Sequence, residues 1–354
     1  MASTPVPNTD LILAVLKRGN GFMEGDGINV WQPRQDFPVW HFTVLLKRGN
    51  QIYPVDSDTV VKCGVLLQST ARIFKHDRAL SSFFDFIKTK NVEIQPHHHM
   101  QLKAKYCTTP QQFNETMQEI WHAAQCLRGN PFGALHFRPP HTDAPIPTST
   151  IGILPGVKAP SAMVLVLGLT THCVKLNIWR IKQGEYQLLL RRVPGGLQFG
   201  GAILAPVFSG NVSAHDAYPI AALERVVGPN ITSWLLQPRH KFMAQGKICI
   251  MHIHGREYGE VQQGISEFGR RFIFDVEMPK NRYVVELGGE EVELVWLNFQ
   301  DIERALSASN FSPENGLVVL DWLLRFRILQ NRAGSELLNE VVARLRYDLI
   351  GGQY

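Results

Sequence analysis

The chain has 354 residues, of which 45% are hydrophobic and 19% charged, and its formal net charge is +5. That balance belongs to a folded globular chain rather than a disordered one, and the length suits two domains. A mild positive charge without any run of Lys or Arg gives no nucleic-acid footprint.

A short apolar helix is expected at Leu11–Leu16, within a stretch too short and wrongly charged for a signal peptide. Phe42–Leu46 and Gln51–Val55 read as strands from their β-branched and aromatic content. His97, His98 and His99 read as an exposed loop; extended neighbours face opposite ways, so at most two could share an ion. Pro110–Leu127 carries Phe113, Met117, Ile120, Trp121 and Ala124 at helical spacing, and Pro110 suits the first turn. Pro139, Pro140, Pro145 and Pro147 mark a connecting segment over 138–160, which sets the division at 1–145 and 146–354. Beyond it, strands are expected at Met163–Leu169, Val174–Ile181, Gln187–Leu190, Ile248–Ile253, Arg271–Val276 and Val292–Trp296. Helices are expected at Asp216–Val227, Gln300–Ala308, Gly316–Arg327 and near Ser335–Tyr347. Scattered cysteines without Cys-x-x-Cys spacing predict free thiols in a reducing compartment. No apolar run reaches ~18 residues, so no membrane span is expected and the cytoplasm is the default location.

The spacing from Gly210 to Ile231 carries the chemistry. Asp216 follows Gly210 after five residues, and Glu224-Arg225-Val226 follows after seven more, leading to Val227 and Gly228-Pro229. This resembles the Nudix box, which reads Gly, five residues, Glu, seven residues, Arg-Glu-apolar-x-Glu-Glu. Here the Arg-Glu pair is reversed and Gly-Pro stands where the last glutamates belong. Flanking pieces are similar to the thiamine-pyrophosphokinase-related branch of that superfamily. They are Leu167–Trp179, Arg191-Arg192 before Pro194-Gly195, Phe272–Pro279, Glu291-Val292-Glu293, Phe311–Asn315, Asp321–Leu329 and Val341–Leu345.

The resemblance implies an α/β fold: a Nudix-like α/β/α sandwich with a mixed sheet, preceded by an N-terminal α+β domain. It implies Mg²⁺ held by box carboxylates, here Asp216 and Glu224, which would also be the catalytic groups. Glu260 could supply a further ligand from the glycine-punctuated loop His254–Arg271, which also holds Glu257 and Glu267. Arg191, Arg192 and Arg225 are candidates for gripping a diphosphate or carboxylate substrate. Ligand counting argues against the metal, because Arg225, Gly228 and Pro229 offer no oxygen donor on the helix face where glutamates should converge. His252 and His254 share a strand face but have no third ligand. Three readings stay open. One is a repurposed Nudix-like protein running a metal-free step on a small organic metabolite in specialised metabolism. The others are a diphosphate hydrolase and a non-catalytic binding or scaffold protein. The expected partner is a small-molecule substrate, with neither nucleic acid nor membrane involved.

Overall fold

A computed structural model describes residues 15, 39–47, 59–88, 98–127, 132, 143–148, 152–194, 202–213, 216, 218–237, 241–253, 266–278, 293–329, 339, 341–342 and 345. The strand expected at 51–55, His97, His254, Glu257, Glu260 and most of the terminal helix lie outside these residues.

β1 (Val39–Leu46) pairs antiparallel with β2 (Thr59–Leu67), which leads into helices α1 (Gln68–His76) and α2 (Arg78–Ser81). β3 (Phe84–Lys88) and β4 (His98–Leu102) complete a sheet in the order β2-β1-β4-β3, with β1 and β4 parallel. Helix α3 (Pro110–Gln125) opens on Thr109, whose side chain accepts from Gln112 N at 3.1 Å, and on Pro110, which has no N–H to leave unpaired. Its Phe113, Met117, Ile120 and Ala124 enter one core with Phe42, Val44, Met100 and Leu102. The histidine run departs from the exposed loop expected of it. His98 and His99 lie on β4 and face opposite ways: His98 stacks on Trp40 at 4.9 Å, and His99 meets His41 at 5.7 Å. The cause is parallel pairing with β1, a partner far away in sequence.

The proline-rich connecting segment contains regular structure. β5 (Asp143–Thr148) and β6 (Gly152–Pro160) form a two-stranded antiparallel ladder, whose edges tolerate residues without an N–H. Met163–Leu169, expected as a strand, begins inside helix α4 (Ser161–Val166). Gly168 closes that helix at φ 57, with Leu169 N donating to Val164 O at 2.7 Å and Gly168 N to Leu165 O at 3.2 Å. This is the left-handed glycine closure of a helix. The run is buried on every side, so its apolar sequence has no periodicity to separate helix from strand.

The second sheet begins with β7 (Thr170–Lys182), β8 (Glu185–Pro194), β9 (Ala202–Pro206) and β10 (Phe208–Asn211). Helices α5 (Pro219–Val227) and α6 (Pro229–Leu235) follow, then β11 (Met243–Ile253), β12 (Ser266–Glu277) and β13 (Leu294–Leu297). Helices α7 (Phe299–Ser307) and α8 (Pro313–Arg325) complete the order. The strands run β11-β12-β7-β8-β13, with β10 on β7 and β9 on β8; β7 and β12 are parallel and the other pairs antiparallel. Both large sheets are therefore mixed, and neither closes into a barrel among the described residues. Residues 266–271, expected in a loop, belong to β12.

Alternation along the strands builds two cores. Val174, Leu176, Ile178, Leu189, Phe274 and Val276 face α5 and α6. Trp179, Leu188, Leu190 and Ile273 face α7 and α8, and buried Val15 joins this side. The result is a helix–sheet–helix sandwich. Part of the α8 side is ionic. Lys175 Nζ lies 2.5 Å from Glu314 Oε1, and Arg271 Nη2 donates to Glu314 Oε2 at 3.2 Å. Burial raises the Glu314 carboxyl, but Arg271 and Lys175 outweigh it and hold the group well below the usual carboxylate range. Fully buried Asp275 accepts from Asn177 Nδ2 at 3.0 Å and from the Arg325 guanidinium, whose Nε reaches Asp321 at 2.7 Å. Three cations thus meet three carboxylates, the condition for keeping charge inside a protein.

The two sheets touch at a backbone seam. Gly64 bridges Leu169, and Val65 N donates to Gly168 O at 2.9 Å. Cys63, Cys107, Cys126 and Cys173 are free thiols. Among the described residues no helix is long and apolar enough to cross a membrane.

Candidate functional site

The segment singled out by spacing folds as strand, loop and helix. Gly210 lies on β10, where an added Cβ would stand 2.3 Å from Cγ2 of Val226; the helix rests directly on the strand backbone. The helix is shorter than the 216–227 expected of it, because α5 starts at Pro219. Proline fits a first helical position and pushes the residue before it out of helical conformation. Tyr218 is accordingly extended, at φ −145 and ψ 159, and Asp216 is left in the loop. At the other end Gly228 takes φ 84 and Pro229 starts α6, so the helix stops where glutamates would have continued it.

Asp216 already has a cation. Arg225 donates from Nε to Asp216 Oδ1 at 3.0 Å and from Nη2 to Oδ2 at 2.7 Å, while Nη2 also reaches Asn211 O at 2.8 Å. Ser213 N donates to Oδ2 at 2.6 Å. The Asp216 side chain is 7% exposed and that of Arg225 50%. Hydrogen bonding from Arg225 holds the Asp216 carboxyl below its ordinary value, although burial pulls the other way. Two parallel N–H donors on one carboxylate are the strong, planar form of this pairing.

Of the expected metal ligands, Glu260 lies outside the described residues, and Asp216 and Glu224 form no metal-binding group among them. Glu224 is exposed on α5 and makes no hydrogen bond or ion pair through its side chain. Among the described residues no group of three or more His, Cys, Asp or Glu could hold a metal. Mg²⁺ needs several oxygen ligands in near-octahedral array, and the oxygens of Asp216 already accept three N–H donors. These residues do not fit the ion.

Nor do the three arginines converge. Arg191 and Arg192 are neighbours on β8 and so face opposite ways. Exposed Arg192 pairs with Glu293 at 2.9 Å. Arg191 takes the same face as Leu189, toward α5 and α6. Two residues there escaped the sequence reading. The Arg180 guanidinium lies 4.0 Å from the Trp296 ring centroid, and Arg180 Nε donates to Gln187 Oε1 at 2.9 Å. The strand over Gln187–Leu190 was expected from the sequence, but the pairing that sets β13 beside it was not.

No family model and no curated protein matches the chain. Among solved structures it is similar to an Ap4A hydrolase of C. elegans over 45% of this chain and 99% of that one, at 11% identity and a TM-score of 0.29. A Nudix hydrolase of M. smegmatis, RenU, covers 46% of this chain and 90% of its own, at 17% identity and a TM-score of 0.27. One from Nitrosomonas europaea covers 48% and 95%, at 16% identity and a TM-score of 0.27. Similarities of this strength establish neither family nor activity.

Proposed function

We propose that residues 170–329 form a Nudix-like domain in which Arg225 has taken over the charge of the lost metal. The domain then handles a small organic metabolite without Mg²⁺. The observation that carries this is the two-pronged Arg225–Asp216 pair on the box helix and its loop. In a working box, carboxylates are left open to a cation that activates water and neutralises a diphosphate. Here the loop carboxylate is neutralised from within, Glu224 stands exposed, and Gly228 with Pro229 removes the remaining ligand positions. A carboxylate kept ionised and saturated with donors is also a poor general acid. Asp216 and Arg225 therefore act as a fixed brace of the site.

Calorimetric titration with Mg²⁺, run beside a phosphate-release assay on a panel of organic diphosphates, tests the proposal. No saturable heat of Mg²⁺ binding and no Mg²⁺-dependent release are expected. Magnesium-dependent turnover that disappears in both Asp216→Ala and Glu224→Ala would overturn it in favour of the hydrolase.

A further inference from the structure

β7 and β8 pair only from Ile178–Leu189 to Lys182–Glu185; beyond that they part, β7 taking β10 and β8 taking β9. On the far side of β8, β13 pairs with it in the register Leu189↔Trp296 and Arg191↔Leu294. Gln187, Leu189 and Arg191 of β8 therefore share a face with Leu294 and Trp296 of β13. Arg180 of β7 joins this face by lying over the Trp296 ring.

Two donors on this patch are unspent. Among the described residues the side chain of half-buried Arg191 makes no hydrogen bond or ion pair, and its Nε is out of contact with solvent. Trp296 Nε1 is likewise buried and without a hydrogen-bond acceptor. Arg180, by contrast, is fixed by Gln187 and by the indole ring, so it adds positive charge without closing over Arg191. The described acid on this face of β7, β8, β9 and β13 is Glu185, at the turn opposite Lys182. Buried N–H groups are satisfied in nearly all native structures, and two of the open ones among the described residues share this face, where a bound acceptor would satisfy them. Half-buried Leu294 supplies apolar surface beside it, over the fully buried Leu189.

We infer that the β8–β13 face binds a small organic oxyanion, a carboxylate or phosphate monoester on an apolar body, with Arg191 and Trp296 Nε1 donating to the oxygens. Arg180 and Leu294 shape the charge and the apolar wall. The inference deepens the metal-free reading above by naming a ligand class for the same domain.

The test uses the full chain without added metal, with benzoate, phenyl phosphate and inorganic phosphate as calorimetric probes. Saturable binding of benzoate or phenyl phosphate is expected, the tighter of the two identifying the anion, with inorganic phosphate weaker than either. Arg191→Gln should weaken binding by about tenfold or more, the loss of one charge-assisted fork. Trp296→Phe should weaken it less, because the ring survives and only the N–H is lost. Arg192→Gln, on the opposite face, should leave it unchanged, and Arg191→Lys should recover part of the affinity. Melting curves identify any variant that has lost its fold. Absence of saturable binding by both organic probes, undiminished binding in folded Arg191→Gln, or equal binding of inorganic phosphate overturns the inference. Because no Mg²⁺ is present, failure here leaves the metal result standing, and magnesium-dependent hydrolysis found elsewhere would leave this binding intact.

Discussion

The Arg225 fork does for the charge of Asp216 what a metal would do, and with Ser213 N it engages both carboxylate oxygens. In this chain the substitution is local to two residues, Asp216 and Arg225, and its energy is modest because the guanidinium is half exposed. Asp216→Asn is expected to lower the unfolding free energy by roughly 1 kcal/mol near neutral pH. The folded state binds this carboxyl's proton less readily than the unfolded state, since Arg225 holds its pKa below the ordinary 3.8. The stabilisation is therefore complete above 3.8 and fades as pH falls through the depressed folded value. Urea midpoints of wild type and Asp216→Asn should converge in acid; a gap that stays constant would contradict the pairing. Arg191 shows the other side of the residue scale: its neighbour Arg192 has Glu293, and the Arg191 side chain has no ionic partner among the described residues.

Helix α5 is placed by one contact as much as by its apolar face. Ala222, Leu223 and Val227 bury against the sheet, and Val226 fills the space that a side chain at position 210 would need. Gly210→Ala should destabilise the chain by roughly 1–3 kcal/mol, because the contact is with a stiff β-branched side chain. Adding Val226→Ala should return part of that loss, since it removes the methyl in the way. Strictly additive losses in denaturant unfolding would mean that helix and strand do not meet there. Only the C-terminal end of α5 was legible beforehand, where Gly228-Pro229 acts within a residue or two through a missing N–H; the start expected at Asp216 lies at Pro219. The strand expected over 163–169 was not recovered, although Gly168 was there to end a helix, because the apolar run before it fits either state.

At the scale of the molecule, the first core and the two cores of the second sheet are joined where Gly64 and Val65 meet Gly168 and Leu169. A Cβ on Gly168 would lie 1.7 Å from Val65 O, at a φ of 57. Gly168→Ala should cost more than about 2 kcal/mol and divide one calorimetric unfolding transition into two. A single transition at the wild-type temperature would show that the seam does not couple the halves. Sequence by itself determined the mixed α/β content, the long helix from Pro110, the break at Gly228-Pro229 and strands at the places of β7 and β8. These follow from steric rules and periodicities that operate within a few neighbours. Only the tertiary structure decided that Arg225 takes Asp216, that His99 meets His41, and that Arg191 shares a face with Trp296 rather than acting with Arg192. Each of those pairs is made when a loop closes or distant strands choose a register, and neither choice is written in the local pattern of either partner.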